Sequence, residues 1–242
     1  YRGRQLNAEL QARLAQSVAT AQSKGLKQAS ALVWFSSAEM ASDPYVAGHK
    51  GVPEFMLDTL GLHNVVQSDE EWPAVGWETI AKANPQAVIM ITLYKPTAEF
   101  IRQMRKAGQI PQFSTLSPIG ADLLVGEMGA KDAHGVGISQ VMPYPWNDTI
   151  PIVKEYHKAL QTFAKHNRYS YYGLEGFINA KVLVEGLRRA SPKPDRARML
   201  AALEGMRKFD LGGLELSYSA TDHSGLAFTD LSIVGSDGRF KR

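Results

Sequence analysis

Ser30-Ala31-Leu32-Val33-Trp34-Phe35-Ser36 and Ala87-Val88-Ile89-Met90-Ile91-Thr92 decide the fold. Each is a short, continuous apolar run bounded by polar residues and turn formers. A strand buried on both faces reads this way, because a parallel sheet is covered by helices above and below. Between and after these runs the apolar spacing changes to that of helices. Pro53 opens a helix that runs to Leu60 and stops at Gly61, and Trp77–Ala83 is a helix halted before Pro85. Pro96 opens another, with Phe100, Ile101 and Met104 on one face and Gly108 at its end. Val65-Val66, Phe113-Ser114-Thr115 and Gly135–Val141 supply further strands. Ser117-Pro118 reads as an N-cap and first turn, followed by a helix carrying Leu123, Leu124 and Met128.

Strands near 31–36, 64–67, 87–92, 112–115 and 135–141 alternate with helices, which predicts one α/β layer with a parallel sheet. The spacing of about 25 residues per unit suits a flavodoxin-like five-stranded order, 2-1-3-4-5, with helices on both faces. Ahead of it, Leu6, Leu10, Leu14 and Val18 recur every four positions and predict a helix over 5–22. Beyond Val141 the texture changes. Pro143, Pro145 and Pro151 mark a connection. Helices follow over 152–166, with Val153, Tyr156, Leu160 and Phe163 on one face, and over 170–190, apolar around most of its circumference. Asp195 caps a short helix. Leu214-Leu216-Tyr218 and Phe228-Asp230-Ser232 alternate and predict a hairpin. The expected division is an N-terminal helix (1–29), the flavodoxin-like lobe (30–141), a helical segment (142–210) and a C-terminal β-hairpin region (211–242).

Composition narrows the function. The 242 residues are 44% hydrophobic and 21% charged, ordinary for a globular chain. Net charge is +3, without a run of five basic residues, which argues against nucleic acid as a partner. Cysteine is absent, so thiol chemistry, disulfides and cysteine-ligated zinc are excluded. The chain begins Tyr1-Arg2-Gly3-Arg4, without Met or an apolar signal segment, as a processed or partial product would. No P-loop, nucleophile elbow, zinc-protease or dinucleotide motif occurs, so neither an enzyme nor a cofactor is expected. His49, Asp43 and Glu39 offer an alternative as a metal site, and with it a small α/β metal carrier or enzyme. A sensor with the same lobe would carry a DNA-binding or kinase segment, and the sequence has neither.

In open α/β sheets ligands sit beyond the carboxyl ends of the strands. That rule selects Ser36, Ser37, Asp43, Tyr45 and His49 after the first strand, Tyr94 after the third, Leu116 and Ser117 after the fourth, and Tyr144 and Trp146 after the fifth. Hydroxyl and aromatic side chains at one edge suit a small polar ligand. Simpler roles compete: Ser117 as a helix cap, Tyr94 as packing, Trp72 and Trp77 as cover for the sheet's edge.

Two stretches resemble known families. Trp34-Phe35-Ser36-Ser37, Asp43-Pro44-Tyr45-Val46-Ala47-Gly48, Leu60-Gly61-Leu62-His63-Asn64-Val65, Trp77-Glu78 and Ala83-Asn84-Pro85 resemble the C-terminal lobe of periplasmic proteins that deliver iron-siderophore, haem and cobalamin to ABC importers. Tyr94-Lys95-Pro96, Ser117-Pro118-Ile119-Gly120, Gly135–Val141, Leu174-Glu175-Gly176-Phe177, Leu211-Gly212-Gly213, Asp222-His223-Ser224-Gly225 and Asp237-Gly238-Arg239-Phe240 resemble the leucine/branched-chain amino-acid binding proteins of such importers. The first resemblance covers 1–92 and the second 93–242, with a join near 86–93.

The resemblances imply a hybrid, engineered or recombined, of two solute-binding lobes. They imply a periplasmic location, an importer permease as partner and no enzymatic activity. They also imply that Tyr94 and Ser117 face an amino acid, while Ser36, Ser37 and Tyr45 line the other family's cleft. The helices over 152–190 resemble part of a second lobe whose remainder is missing, which implies weak or no solute binding and an apolar face open to a homodimer. A working binding protein for branched-chain amino acids or an iron chelate is the alternative.

Overall fold

The run Ser30–Phe35 becomes strand β1, and its residues Ala31 to Trp34 are buried. A computed structural model describes residues 2–25, 28–35 and 43–242. It divides into two compact units: Tyr1–Ile138 with Ser232–Lys241, and Ser139–Leu231 with Arg242.

In the first unit, α1 (Arg2–Ser23) and β1 are followed by β2 (Tyr45–Val46), α2 (Val52–Leu60), β3 (His63–Asn64) and α3 (Trp77–Ala83). Then come β4 (Ala87–Ile91), α4 (Tyr94–Lys106), β5 (Gln112–Thr115), α5 (Ala121–Met128), α6 (Ala130–Ala133) and β6 (Gly137–Gln140). β1 pairs in parallel with both β3 and β4, β4 with β5, and β5 with β6. The parallel order β3-β1-β4-β5-β6 is the expected 2-1-3-4-5. Successive side chains of a strand point to opposite faces. Ala31 and Val33 accordingly pack with Ala47 and Leu57. Trp34, facing the other way, stacks on Phe100 of α4 with ring centroids 4.5 Å apart.

Several boundaries differ from expectation for local reasons. The second strand ends at Asn64 rather than running through Val66, because the Asn64 side-chain oxygen accepts the Val66 N–H at 3.0 Å and turns the chain. Ser117 is not the cap of a long helix. It opens a 3₁₀ turn, Ser117–Ile119, that makes no side-chain cap bond, and Gly120 at φ 60° separates that turn from α5. α4 begins at Tyr94, which leaves Pro96 in its first turn, where a missing N–H costs nothing. The stretch expected as loop after β1 contains β2, antiparallel to β1 with Phe35 opposite Tyr45. Much of α1 is solvent-facing, with Leu10 55% exposed.

The second unit contains α7 (Pro151–Ala159), α8 (Tyr171–Ala190), α9 (Arg196–Glu204), β7 (Phe209–Asp210), β8 (Glu215–Ser219) and β9 (Asp222–Gly225). Its core joins Ile152, Val153 and Tyr156 of α7 to Leu174, Ile178 and Val182 of α8, together with Met206, Leu211 and Leu216. Phe163 is 84% exposed rather than in line with Tyr156, because a π-helical turn over Leu160–Ala164 shifts the helical phase.

The expected hairpin between Leu214–Tyr218 and Phe228–Ser232 does not form. β8 pairs instead with β7 and β9, with Ser219 opposite Asp222. The later segment becomes β10 (Asp230–Val234), which pairs with β11 (Phe240–Lys241) and lies beside β6 in the large sheet. The Val234 N–H donates to the Val136 carbonyl at 3.0 Å. Asp222–Gly225, expected as a turn, is strand β9 and takes the place beside β8, so β10 is free to extend the first unit's sheet.

Candidate functional site

The registers bring three predicted residues to one end of the first unit's sheet. Phe35 is opposite Ile91, and Met90 is opposite Thr115, so β1, β4 and β5 finish level with one another. Tyr45 pairs with Phe35 and lies beside the carboxyl end of β1, 46% exposed. Tyr94 is the first residue of α4, three positions past β4, and is half-buried. Ser117 is half-buried on the next connection, two positions past β5. Ser36 and Ser37 lie outside the described residues. Tyr144 and Trp146 belong to the second unit, where they contact each other and Tyr171 with centroids 5.0, 5.7 and 6.4 Å apart.

Of the apolar rim of this sheet end, sequence reasoning selected Leu116 and missed Phe35 and Leu93. Phe35, Leu93 and Leu116 each follow or end a buried strand and are 47%, 60% and 41% exposed. Phe35 and Leu116 stand one position past the last buried residues of β1 and β5, Trp34 and Thr115, and Leu93 stands two positions past the end of β4. Phe35 leans on Trp72, centroids 5.5 Å apart, and Trp77 packs on Phe100 at 5.3 Å. Both tryptophans thus do the covering work expected of them.

Polar groups at this end are set by the backbone. Thr115 donates its hydroxyl to the Met90 carbonyl at 3.0 Å, which ties β5 to β4. The Thr92 hydroxyl oxygen is buried without a hydrogen-bond partner among the described residues. Leu93 caps α4 without a side-chain acceptor, so the first N–H groups of α4 receive no side-chain cap. The arrangement offers hydroxyls, backbone donors and apolar surface. It is a binding inventory, with no described nucleophile held by a base. Among the described residues, no three His, Asp or Glu side chains gather in a way that could hold a metal, and Glu39 lies outside those residues. No described helix is long and apolar enough to cross a membrane.

The parallel sheet with helices on both faces is the fold of a periplasmic-binding-protein lobe. A family model described as periplasmic binding protein matches residues 57–237. A second model of the same description matches residues 1–111. The chain belongs to the periplasmic binding proteins, and its two matches bear out the resemblance to two branches of them. The matches overlap over 57–111, the interval that contains the expected join at 86–93.

Solved structures of the same fold include a substrate-binding periplasmic protein from Ralstonia solanacearum. It is 24% identical with a TM-score of 0.72, over 94% of this chain and 64% of that one. A possible leucine/isoleucine/valine-binding protein from Rhodopirellula baltica is 28% identical with a TM-score of 0.63, over 80% and 52%. A branched-chain amino acid ABC transporter protein from Thermus thermophilus, solved with bound valine, is 19% identical with a TM-score of 0.66, over 93% and 63%. The chain thus spans less than two thirds of the length of these proteins. A comparison with curated proteins finds no match.

Proposed function

We propose that the chain is a non-enzymatic solute-binding scaffold of an ABC importer, of hybrid origin, that holds a small polar solute weakly at the carboxyl end of its parallel strands. The observation that carries this reading is the level finish of β1, β4 and β5, which gathers Tyr45, Tyr94 and Ser117 on neighbouring connections. Ser36 and Ser37 belong to the same proposed site. Family membership supports a periplasmic location and an importer permease as partner. The bound valine of the Thermus protein makes branched-chain amino acids the first solutes to test, with iron chelates second.

The proposed weak binding rests on the make-up of the site: Tyr45, Tyr94 and Ser117 are partly open to solvent, their contacts with a solute compete with water, and each 1.4 kcal/mol lost is about tenfold in affinity. Leucine, valine and a ferric hydroxamate siderophore are expected to bind no better than about millimolar. Isothermal titration of the purified chain tests this. A micromolar dissociation constant that Tyr94→Ala abolishes would show a sufficient site and overturn the weak-binding reading. The helices over 152–190 supply a second proposed contact, with another copy of the chain.

A further inference from the structure

The second unit carries a cavity of about 350 Å3 between α8, β8 and the segment leading to β10. Its walls are mainly apolar, formed by Met142, Ile178, Val182, Leu216, Leu226 and Phe228. One charged side chain, Glu175 of α8, stands on the wall. Glu175 is half-buried, and no ion pair or hydrogen bond reaches it among the described residues. The other acidic residues of this unit's long helices differ: Glu155 pairs with Lys181, and Glu185 takes both Arg188 and Arg189.

A carboxylate on the wall of a largely apolar cavity attracts a cation more strongly than one in bulk water, because less water screens it. The field of this charge reaches a neighbour. The Tyr172 hydroxyl is held above its ordinary pKa first by burial and then by the negative charge of Glu175. We propose that this cavity is a binding site for a small organic amine, whose ammonium group pairs with Glu175 while its apolar body lies against Ile178, Val182 and Phe228. The volume is within the range of small-molecule sites, roughly 300–1,000 Å3. An arylalkyl or branched alkyl body fits such walls. Asn179 and Tyr218, also on the wall, add side-chain oxygens as acceptors for ammonium hydrogens left over from the ion pair. A carboxylate ligand is disfavoured, because it would place like charges together in a partly dry space.

The site lies wholly in the second unit, so it goes beyond the solute site of the first and does not rest on it. The test is calorimetric titration of the full chain with phenethylammonium chloride, with phenethyl alcohol and hydrocinnamate as matched neutral and anionic probes. The amine is expected to bind at least roughly tenfold tighter than the alcohol, and hydrocinnamate not to bind. Glu175→Gln should remove that preference while Glu175→Asp retains it, with unchanged circular dichroism for both. Tyr94→Ala should leave amine binding unaffected, which separates this site from the proposed solute site. Equal binding of amine and alcohol, an amine preference that survives Glu175→Gln, or no measurable amine binding would each overturn the proposal.

Discussion

Asn64 shows how one side chain can fix the ground beneath the site. It is 4% exposed and ends β3. Its amide nitrogen donates to the carbonyls of Ala47 and Gly48 at 3.0 and 3.3 Å and to Glu54 Oε2 at 2.8 Å. Its oxygen accepts from Val66 N–H. β2, α2 and β3 are therefore tied to a single residue that lies in a strand position where propensity alone disfavours asparagine. Removing the side chain leaves buried polar groups unpaired, each costing about 1–3 kcal/mol. Asn64→Ala is expected to lower unfolding free energy by about 3 kcal/mol in urea titration. Asn64→Asp, though isosteric, should cost more, because it turns the donor into an acceptor facing two carbonyls and a carboxylate. An aspartate variant more stable than the alanine one would contradict this account.

At the scale of elements, α8 carries the clearest electrostatic signature. Glu185 holds Arg188 at 2.8 Å and Arg189 at 2.7 Å, and these two bonds, Arg188 first, lower its pKa from 4.5 to about 2. A folded-state pKa below the unfolded one means stability that is present above the unfolded value. It is lost as pH falls through the folded value. The contribution should thus be full at neutral pH and fade between about 4.5 and 2. Thermal unfolding of the wild type and Glu185→Gln at pH 7 and pH 2 checks it: the gap between their melting temperatures should narrow at pH 2. A constant gap would assign the effect to packing instead.

The same scale shows what a sequence discloses. Ala31–Phe35 and Ala87–Ile91 were legible because burial on both faces leaves an uninterrupted apolar run. α2 and α9 were legible because Gly61 and Asp195 mark an end and a start. The strand pair of Phe35 with Tyr45 was not, since two residues leave no periodicity to read. The fate of β10 was not either, because alternation identifies a strand and says nothing of its neighbour. At the candidate site, the positions of Tyr45, Tyr94 and Ser117 followed from the rule about strand ends. Leu116 followed from it as well, whereas the exposed Phe35 and Leu93 did not, because an apolar residue at a strand's end looks like core until its surroundings are known.

The whole molecule is defined by what its second unit leaves uncovered. α8 buries Leu174, Ile178 and Val182 against α7 and the small sheet. Its other face presents Leu183, Val184 and Leu187 at 53%, 64% and 43% exposure, with Leu200 of α9 at 48%. Gly176 and Ala180 lie exposed further along the helix. Contiguous apolar surface of several hundred Å2 on a folded chain marks a partner surface. The sequence pattern over 170–190 carried the same expectation. The proposed contact with a second copy would be isologous: a two-fold antiparallel pairing of α8 would set the small Gly176 of one copy against the Leu183 and Leu187 face of the other. Sedimentation velocity across about two decades of concentration is the measurement, since a weak isologous dimer declares itself by mass action. The weight-average mass should rise towards that of a dimer. Leu183→Lys combined with Val184→Lys should return it to that of a monomer without loss of helical signal. A wild-type chain that remains monomeric at every concentration would remove the second copy as the occupant of this face.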